Sequence, residues 1–311
     1  MSSLPNGLAN DLLTFKTIFI SIFLEALPFI LLGVLSSSLV QLFVSEKLIS
    51  RLIPRNPVLG ILFACFFGVL FPICECGMVP VIRRLIAKGM PVYIAVVFIL
   101  SGPILNPVVF FATYTAFRSR PEVLYSRMGL AFLAALIIGL IVYRFIRYQP
   151  LRWNLESLYQ EDENRSLQHQ GWTGKITSLS MHMSNEFFEM SKYLTLGALI
   201  TALIHTFVNT GQLMAYGNGP LSSHLMMGAF AYILSICSTS DAFVASSFTG
   251  TFATGSLITF LVLGPMLDFK GTLMLLSVFK TKFVMTLGAI IIIVVLALSI
   301  GWDQLFLRTF S

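Results

Sequence analysis

Long stretches of this chain carry no charge at all. No Asp, Glu, Lys or Arg occurs between Lys88 and Arg118, between Lys192 and Asp241, or between Asp241 and Asp268. An apolar run of about 18 residues or more suggests a bilayer span, and longer ones recur throughout. Only 11% of the 311 residues are charged, against roughly 25% in a soluble domain. A soluble enzyme, a disordered tail and a nucleic-acid-binding domain are thereby excluded. The excess of Lys and Arg falls between the apolar windows, where it anchors segments against lipid headgroups. Four cysteines are too few for a disulfide scaffold. A cleavable signal is not expected either, because the apolar run Thr17 to Val44 exceeds the roughly 7–15 residues of a secretory core.

Eight apolar windows follow one another, and lipid, which offers backbone groups no partner, makes each a helix. They are Thr17–Val44, Pro57–Ile82, Pro91–Phe117, Met128–Tyr143, Phe187–Val208, Leu221–Phe248, Phe252–Leu267 and Gly271–Gly301. The fold class is therefore an all-α polytopic membrane protein of about eight transmembrane helices. Residues 1–147 form a first membrane repeat, 148–184 a polar linker and 185–311 a second repeat. The linker holds Glu161-Asp162-Glu163 and Gln168-His169-Gln170-Gly171.

The two halves resemble each other. Leu24-Glu25 followed by Gly33 matches Phe188-Glu189 followed by Gly197, Cys74 matches Cys237, and Gly102-Pro103-Ile104-Leu105-Asn106 matches Gly264-Pro265-Met266-Leu267-Asp268. The offset stays between 162 and 164 residues. Duplicated halves with Gly/Pro-broken hydrophobic segments in corresponding places are a transporter signature, and the breaks mark the interface that carries the site. Four spans per half would make the repeats parallel and an odd number inverted. Basic clusters follow successive spans, which defeats a positive-inside count. A re-entrant hairpin around residues 74–105 would ease that conflict.

The densest chemistry is in Phe71-Pro72-Ile73-Cys74-Glu75-Cys76-Gly77-Met78-Val79-Pro80. Pro72, Gly77 and Pro80 oppose an unbroken helix. In extended backbone Cys74 and Cys76 share a face, whereas on a helix they diverge by about 200°. Paired thiolates select soft or borderline ions such as zinc, Cu(I) and, by extension, trivalent arsenic, so Cys74 and Cys76 are the candidate metal ligands; the bland alternative is two small packing residues. Cys237 occupies the equivalent place in Cys237-Ser238-Thr239-Ser240-Asp241, while Cys65, among phenylalanines, is expected to be inert. Glu25, Glu75 and Asp241 are isolated acids inside apolar windows. A central charge costs at least about 2.5–3.5 kcal/mol, so such residues face a cavity or find a partner. Each is a candidate for charge or proton exchange. The structural alternatives are a neutral carboxyl bonded to a neighbouring helix, Glu75 paired with Arg83 or Arg84, and Glu25 serving the backbone freed by Pro28. Glu189 is expected to pair with Lys192 on a helix face. Asn106 offers an amide to the protein interior; Asp268, beside Lys270, reads as interfacial. His205 and His224 are expected to pack between helices.

At these residues the sequence resembles the bacterial ArsP-type predicted permease family. The matching stretches are Leu24-Glu25-Ala26-Leu27-Pro28-Phe29, Pro72-Ile73-Cys74-Glu75-Cys76-Gly77 with Pro80, Arg83-Arg84-Leu85, Lys88-Gly89-Met90-Pro91, Pro103-Ile104-Leu105-Asn106-Pro107, Ser240-Asp241-Ala242-Phe243 and Gly264-Pro265-Met266-Leu267-Asp268. They cover residues 15–145 and 185–300 but not the linker. The resemblance implies a multi-pass permease of the bacterial inner membrane. Some relatives are associated with efflux of trivalent organoarsenicals, others with divalent metal, alongside a small membrane partner protein.

The leading expectation is a secondary permease, not an enzyme, moving a soft metal or metalloid species through a cavity between the repeats. It needs no cofactor and no nucleic acid, and its partners are the substrate, the bilayer and a small membrane protein. Cys74 and Cys76 touch the substrate, Glu75 and Asp241 exchange charge, and Glu25, Asn106 and Cys237 line the path. The alternatives are a zinc permease, a subunit of a two-component permease and an intramembrane thiol oxidoreductase.

Overall fold

Where the chain is apolar it is helical; the helix runs on through Pro28 and Pro80 but breaks near Gly102-Pro103 and just after Gly264-Pro265. The computed structural model describes residues 4–43, 48–49, 51, 53–54, 56–70, 74–145, 151, 172–207 and 219–310. The first series of helices is α1 (Leu4–Phe43), α2 (Pro57–Leu70), α3 (Glu75–Ala87), α4 (Val92–Ser101), α5 (Pro107–Ala116) and α6 (Pro121–Phe145). The second is α7 (Trp172–Phe207), α8 (Pro220–Leu234), α9 (Asp241–Ser246), α10 (Thr254–Met266), α11 (Phe269–Val278) and α12 (Thr281–Phe310). Each series reads long, short, short, short, short, long.

The protein is an all-α polytopic membrane protein. Asn10–Val40, Pro121–Phe145, Met183–Thr206, Thr254–Val278 and Thr281–Leu305 are long and apolar enough to cross a bilayer. The fourth is interrupted between Met266 and Phe269.

Packing fixes the direction of each helix. Gly60 lies against Tyr93 and Ile94, and Gly68 against Ser101 and Gly102, so α2 and α4 run side by side in the same direction. The helix between them, α3, must therefore return, and α2–α3 is a hairpin that enters and leaves by one face. Its boundaries differ from the hairpin expected at 74–105. The reason is that Gly89 and Met90-Pro91 turn the chain at that face, whereas the break at Gly102–Asn106 lets α4 and α5 continue as one interrupted crossing. Tyr93 meets Tyr143 at a ring-centroid distance of 5.0 Å, so α6 runs back along α4. In the second series His224 meets Thr259 and Gly228 meets Leu263. This pairs α8 with α10 in the same parallel sense and makes α8–α9 a hairpin. Glu75 and Val79 share a cavity wall with Asp268 and Leu275, which aligns α11 with α3. Each crossing of the second series thus runs opposite to its counterpart, and the two hairpins enter from opposite faces.

The buried core holds these breaks in register. α1 crosses α3 at Gly33, where a Cβ would fall inside the backbone of Gly77. Only a glycine pair allows that approach. Leu194, Ala198 and Ala202 are buried on α7, which packs on α1 and α11. Of the linker, Leu151 bridges to Phe279, and 152–171, including Glu161-Asp162-Glu163 and Gln168 to Gly171, lie outside the described residues. No Pro or Gly occurs between Lys175 and Leu196, so α7 begins at Trp172 and runs through the boundary expected at 185.

Candidate functional site

The tips of the two hairpins meet inside the protein. Cys74 is the N-cap of α3 in extended conformation (φ −71°, ψ 171°), and Glu75 and Cys76 open the helix. Only Cys74 is extended, yet the two thiols still come together, and the Cys74 side chain hydrogen-bonds both Cys76 and Cys237. Phe71, Pro72 and Ile73 lie outside the described residues. Cys237 comes from the opposite hairpin, in a turn where Ser235 adopts φ 48° and the Cys237 carbonyl accepts from the Ser240 and Asp241 amides. Three buried thiols from both halves thus share one place, while Cys65 is buried apart on α2. Among the described residues, no group of three or more His, Cys, Asp or Glu side chains is arranged to hold a metal ion. As they stand, the thiols bond to one another.

The acids separate into two groups. Glu25 lies near Cys237, and its Oε1 accepts from Ser240 Oγ at 3.1 Å. This ties α1 to the N-cap of α9 rather than to the backbone near Pro28. Glu75 is buried, 7% exposed, and lies among Cys76, Cys237, Asp268 and Lys270. It does not pair with Arg83 or Arg84. Arg83 Nη1 donates to Glu189 Oε2 at 2.6 Å and Arg84 Nη2 to Glu186 Oε2 at 3.4 Å. Ser37 Oγ bridges that second pair, donating to Glu186 Oε2 at 3.0 Å. The expected Glu189–Lys192 pair gives way because α3 packs across α1 toward α7 and brings a guanidinium to the same carboxylate.

Asp241 belongs to a second group. Its Oδ2 accepts from Arg127 Nη2 at 2.7 Å, with both side chains almost wholly buried. Arg127 also donates to Thr113 Oγ1 at 2.8 Å and to the Ser238 carbonyl at 3.2 Å. One guanidinium therefore joins α6, α5 and the tip of the outer hairpin. Asn106 caps α5, where Oδ1 accepts from the Val109 amide at 2.8 Å and Nδ2 donates to the Gly102 and Pro103 carbonyls. Its amide is used in stitching the break. His205 and His224 pack between helices as expected, His224 Nδ1 lying 2.7 Å from Thr259 Oγ1.

Three residues escaped the sequence reading. Asp268 is 3% exposed and caps α11, its Oδ1 accepting from the Gly271 amide at 2.7 Å. It is buried, not interfacial, because α11 starts in mid-membrane, and its alignment with Asn106 was the available signal. Lys270 is buried beside it and faces Cys76, Asp268, Glu75 and Cys237. Arg127 lies inside the span Pro121–Phe145, seven residues past Arg120, and that separation was the available signal.

This constellation sits in a chain whose residues 11–301 match the sequence profile of the ArsP-type predicted permeases. The chain belongs to that family. It is 46% identical over 289 residues to the UPF0718 protein YcgR of Bacillus subtilis (strain 168), covering 93% of this chain and 96% of the relative. It is 34% identical over 301 residues to a protein of Streptococcus mutans described as a putative two-component membrane permease complex subunit, covering 96% of this chain and 99% of that one. No solved structure matches significantly. Family membership and the spanning helices together make this a multi-pass membrane permease with bacterial relatives.

Proposed function

We propose that the protein is a secondary permease that moves a soft metal or metalloid species, such as a trivalent arsenical, through the point where the hairpin tips meet. The observation that carries this reading is the joining of Cys74 and Cys76 with Cys237, one hairpin from each half. Thiolates prefer soft ions, and three sulfurs drawn from two hairpins that enter from opposite faces can hand a soft electrophile from one access route to the other. Binding would replace the thiol–thiol hydrogen bonds with sulfur–substrate bonds. Zinc is the second reading, because it accepts thiolate with carboxylate and Glu75 adjoins Cys76.

The matching helix order and reversed directions support an inverted duplication, the arrangement in which alternating access is rocking of one repeat against the other. The same arrangement resolves the charge bias. Arg51, then Arg83, Arg84 and Lys88, then Arg144, then Lys280 and Lys282 fall at the face where α1, α3, α6 and α11 end. The opposite face has Lys16, Arg118, Arg120 and Arg308. By the positive-inside rule the first face is cytoplasmic. The Streptococcus mutans relative, described as a subunit of a two-component complex, supports a membrane partner for this chain too.

Proteoliposomes test the reading. Uptake of zinc or of a trivalent arsenical should follow an imposed ion gradient and fall at least tenfold in Cys74→Ser, Cys76→Ser and Cys237→Ser, with Cys65→Ser unchanged. Transport of either species untouched by all three substitutions would sink the thiol pathway.

A further inference from the structure

Next to the soft thiols stands a set of hard oxygen donors. Asp268 uses Oδ1 on the Gly271 amide, and its Oδ2 is buried without a hydrogen-bond partner. Glu75 Oε2 is buried in the same condition. Both carboxylates border one narrow cavity of about 10 Å³, which is room for a single water-sized guest. Thr272 and the chain from Pro265 to Leu267 also line it. α10 ends at Met266, so its last carbonyls lack the amides that a continuing helix would supply. The Thr272 hydroxyl donates its proton to the Asp268 carbonyl at 2.6 Å, which leaves its oxygen lone pairs as acceptors. No cysteine lines this cavity.

Formal charge points the same way. A cation held between Glu75 and Asp268, with Lys270 beside them, lets both buried carboxylates ionise together. Buried charge is costly unless compensated, and one monovalent cation completes the balance. Helix breaks in membrane proteins supply cations with carbonyls of this kind. We propose that Glu75, Asp268, Thr272 and the terminal carbonyls of α10 form a sodium site. Its role as the position of the coupling ion rests on the permease reading above; the binding itself does not. Lys270 has Glu75 and Asp268 as well as Cys76 and Cys237 for electrostatic neighbours, so occupancy of the hard site changes the charge felt by the soft one.

The test uses purified full-length protein in detergent and needs no transported substrate. Thermal unfolding is compared in NaCl, KCl and choline chloride at equal ionic strength, with phenylarsine oxide as a separate thiol probe. Sodium should raise Tm saturably, by about 4–6 °C at a hundred times its Kd. Asp268→Asn, which keeps the helix cap because Asn caps as well as Asp, should abolish that rise, and so should Thr272→Val. Cys65→Ser should keep it. Equal stabilisation by all three salts overturns the sodium site, as does a sodium effect that survives Asp268→Asn. Stabilisation by acid in choline with no response to sodium overturns it in favour of a proton. A phenylarsine oxide shift lost in Cys74→Ser but kept in Asp268→Asn reads the thiol site independently, so the two proposals fail separately.

Discussion

Asp241→Asn gives the sharpest measure of how the outer hairpin is held. Arg127 is fully buried, and Asp241 is its ionic partner at 2.7 Å. Breaking a buried pair by removing one partner costs about 3–5 kcal/mol, because a charge is left uncompensated. Arg127 would retain its bonds to Thr113 Oγ1 and the Ser238 carbonyl, which places the cost near the lower end, about 3 kcal/mol. For a chain of this size that is a fall in Tm of about 6 °C, taking about 2 °C per kcal/mol. The assay is thermal unfolding in detergent of Asp241→Asn, Arg127→Met and the double variant. The double variant should recover most of the loss, since replacing both members of a buried pair by groups of similar volume is often neutral or stabilising. A single-variant loss below about 1 kcal/mol, or a double variant as unstable as the two losses added, would refute the strut.

The remaining expectations probe packing, the inner latch and topology. Gly33→Ala should destabilise by about 1–3 kcal/mol by overpacking against Gly77, whereas Gly129→Ala, with open space at its Cβ, should be neutral or gain about 0.5–1 kcal/mol; thermal unfolding reads both. Glu186→Gln, at a side chain only 4% exposed, should cost about 3 kcal/mol. Glu189→Gln, 39% exposed, should cost less than about 1 kcal/mol; matched costs would contradict the burial difference. Reporter fusions or single-cysteine labelling should place Leu151 in the cytoplasm and the start of α1 and the end of α12 outside, and either helix end on the side of Leu151 would defeat the inverted arrangement.

Much of this architecture is legible in residue order, and the part that is not has a physical reason. The breaks near Gly102-Pro103 and Gly264-Pro265 fall where Gly and Pro enter an apolar window, whereas those at Ser235–Ser240 and Phe279-Lys280 contain neither residue. The windows themselves recur in the structure. Hydropathy measures length but not direction, however, so Pro57–Ile82 reads as one crossing although it doubles back near Cys74. That single reversal changes the face on which every later basic cluster emerges. The thiols were legible because cysteine beside Pro and Gly is unusual in lipid. Arg127 and Lys270 were not, because a basic residue near the end of an apolar window reads as an interfacial anchor until the packing around it is known. Asn106 was legible as buried, but its local bonds to Gly102, Pro103 and Val109 depend on a cap geometry that composition does not reveal.

The two halves share a backbone plan but not a chemistry, and the difference identifies the working side. Four short helices, α3, α5, α9 and α11, begin at mid-membrane, so the positive ends of their dipoles converge there. At the offset that aligns the halves, Ser238 stands where the first half has Glu75, and Val108 where the second has Lys270. The α5–α9 side is closed by Arg127 on Asp241. A guanidinium does not deprotonate in proteins, so Arg127 keeps its charge through any cycle and, bonded to Asp241, serves as a fixed strut. On the α3–α11 side, Glu75 Oε2 and Asp268 Oδ2 have no hydrogen-bond partner, and carboxylate, ammonium and thiol can all exchange protons or partners. A transporter needs one element that keeps its shape and one that changes its charge, and these two sides divide those tasks. It follows that Asp241→Asn should act mainly on stability. Glu75→Gln and Asp268→Asn should instead leave the fold intact and uncouple substrate movement from the ion gradient; measured in the same proteoliposomes, loss of gradient dependence from Asp241→Asn alone would reverse the assignment.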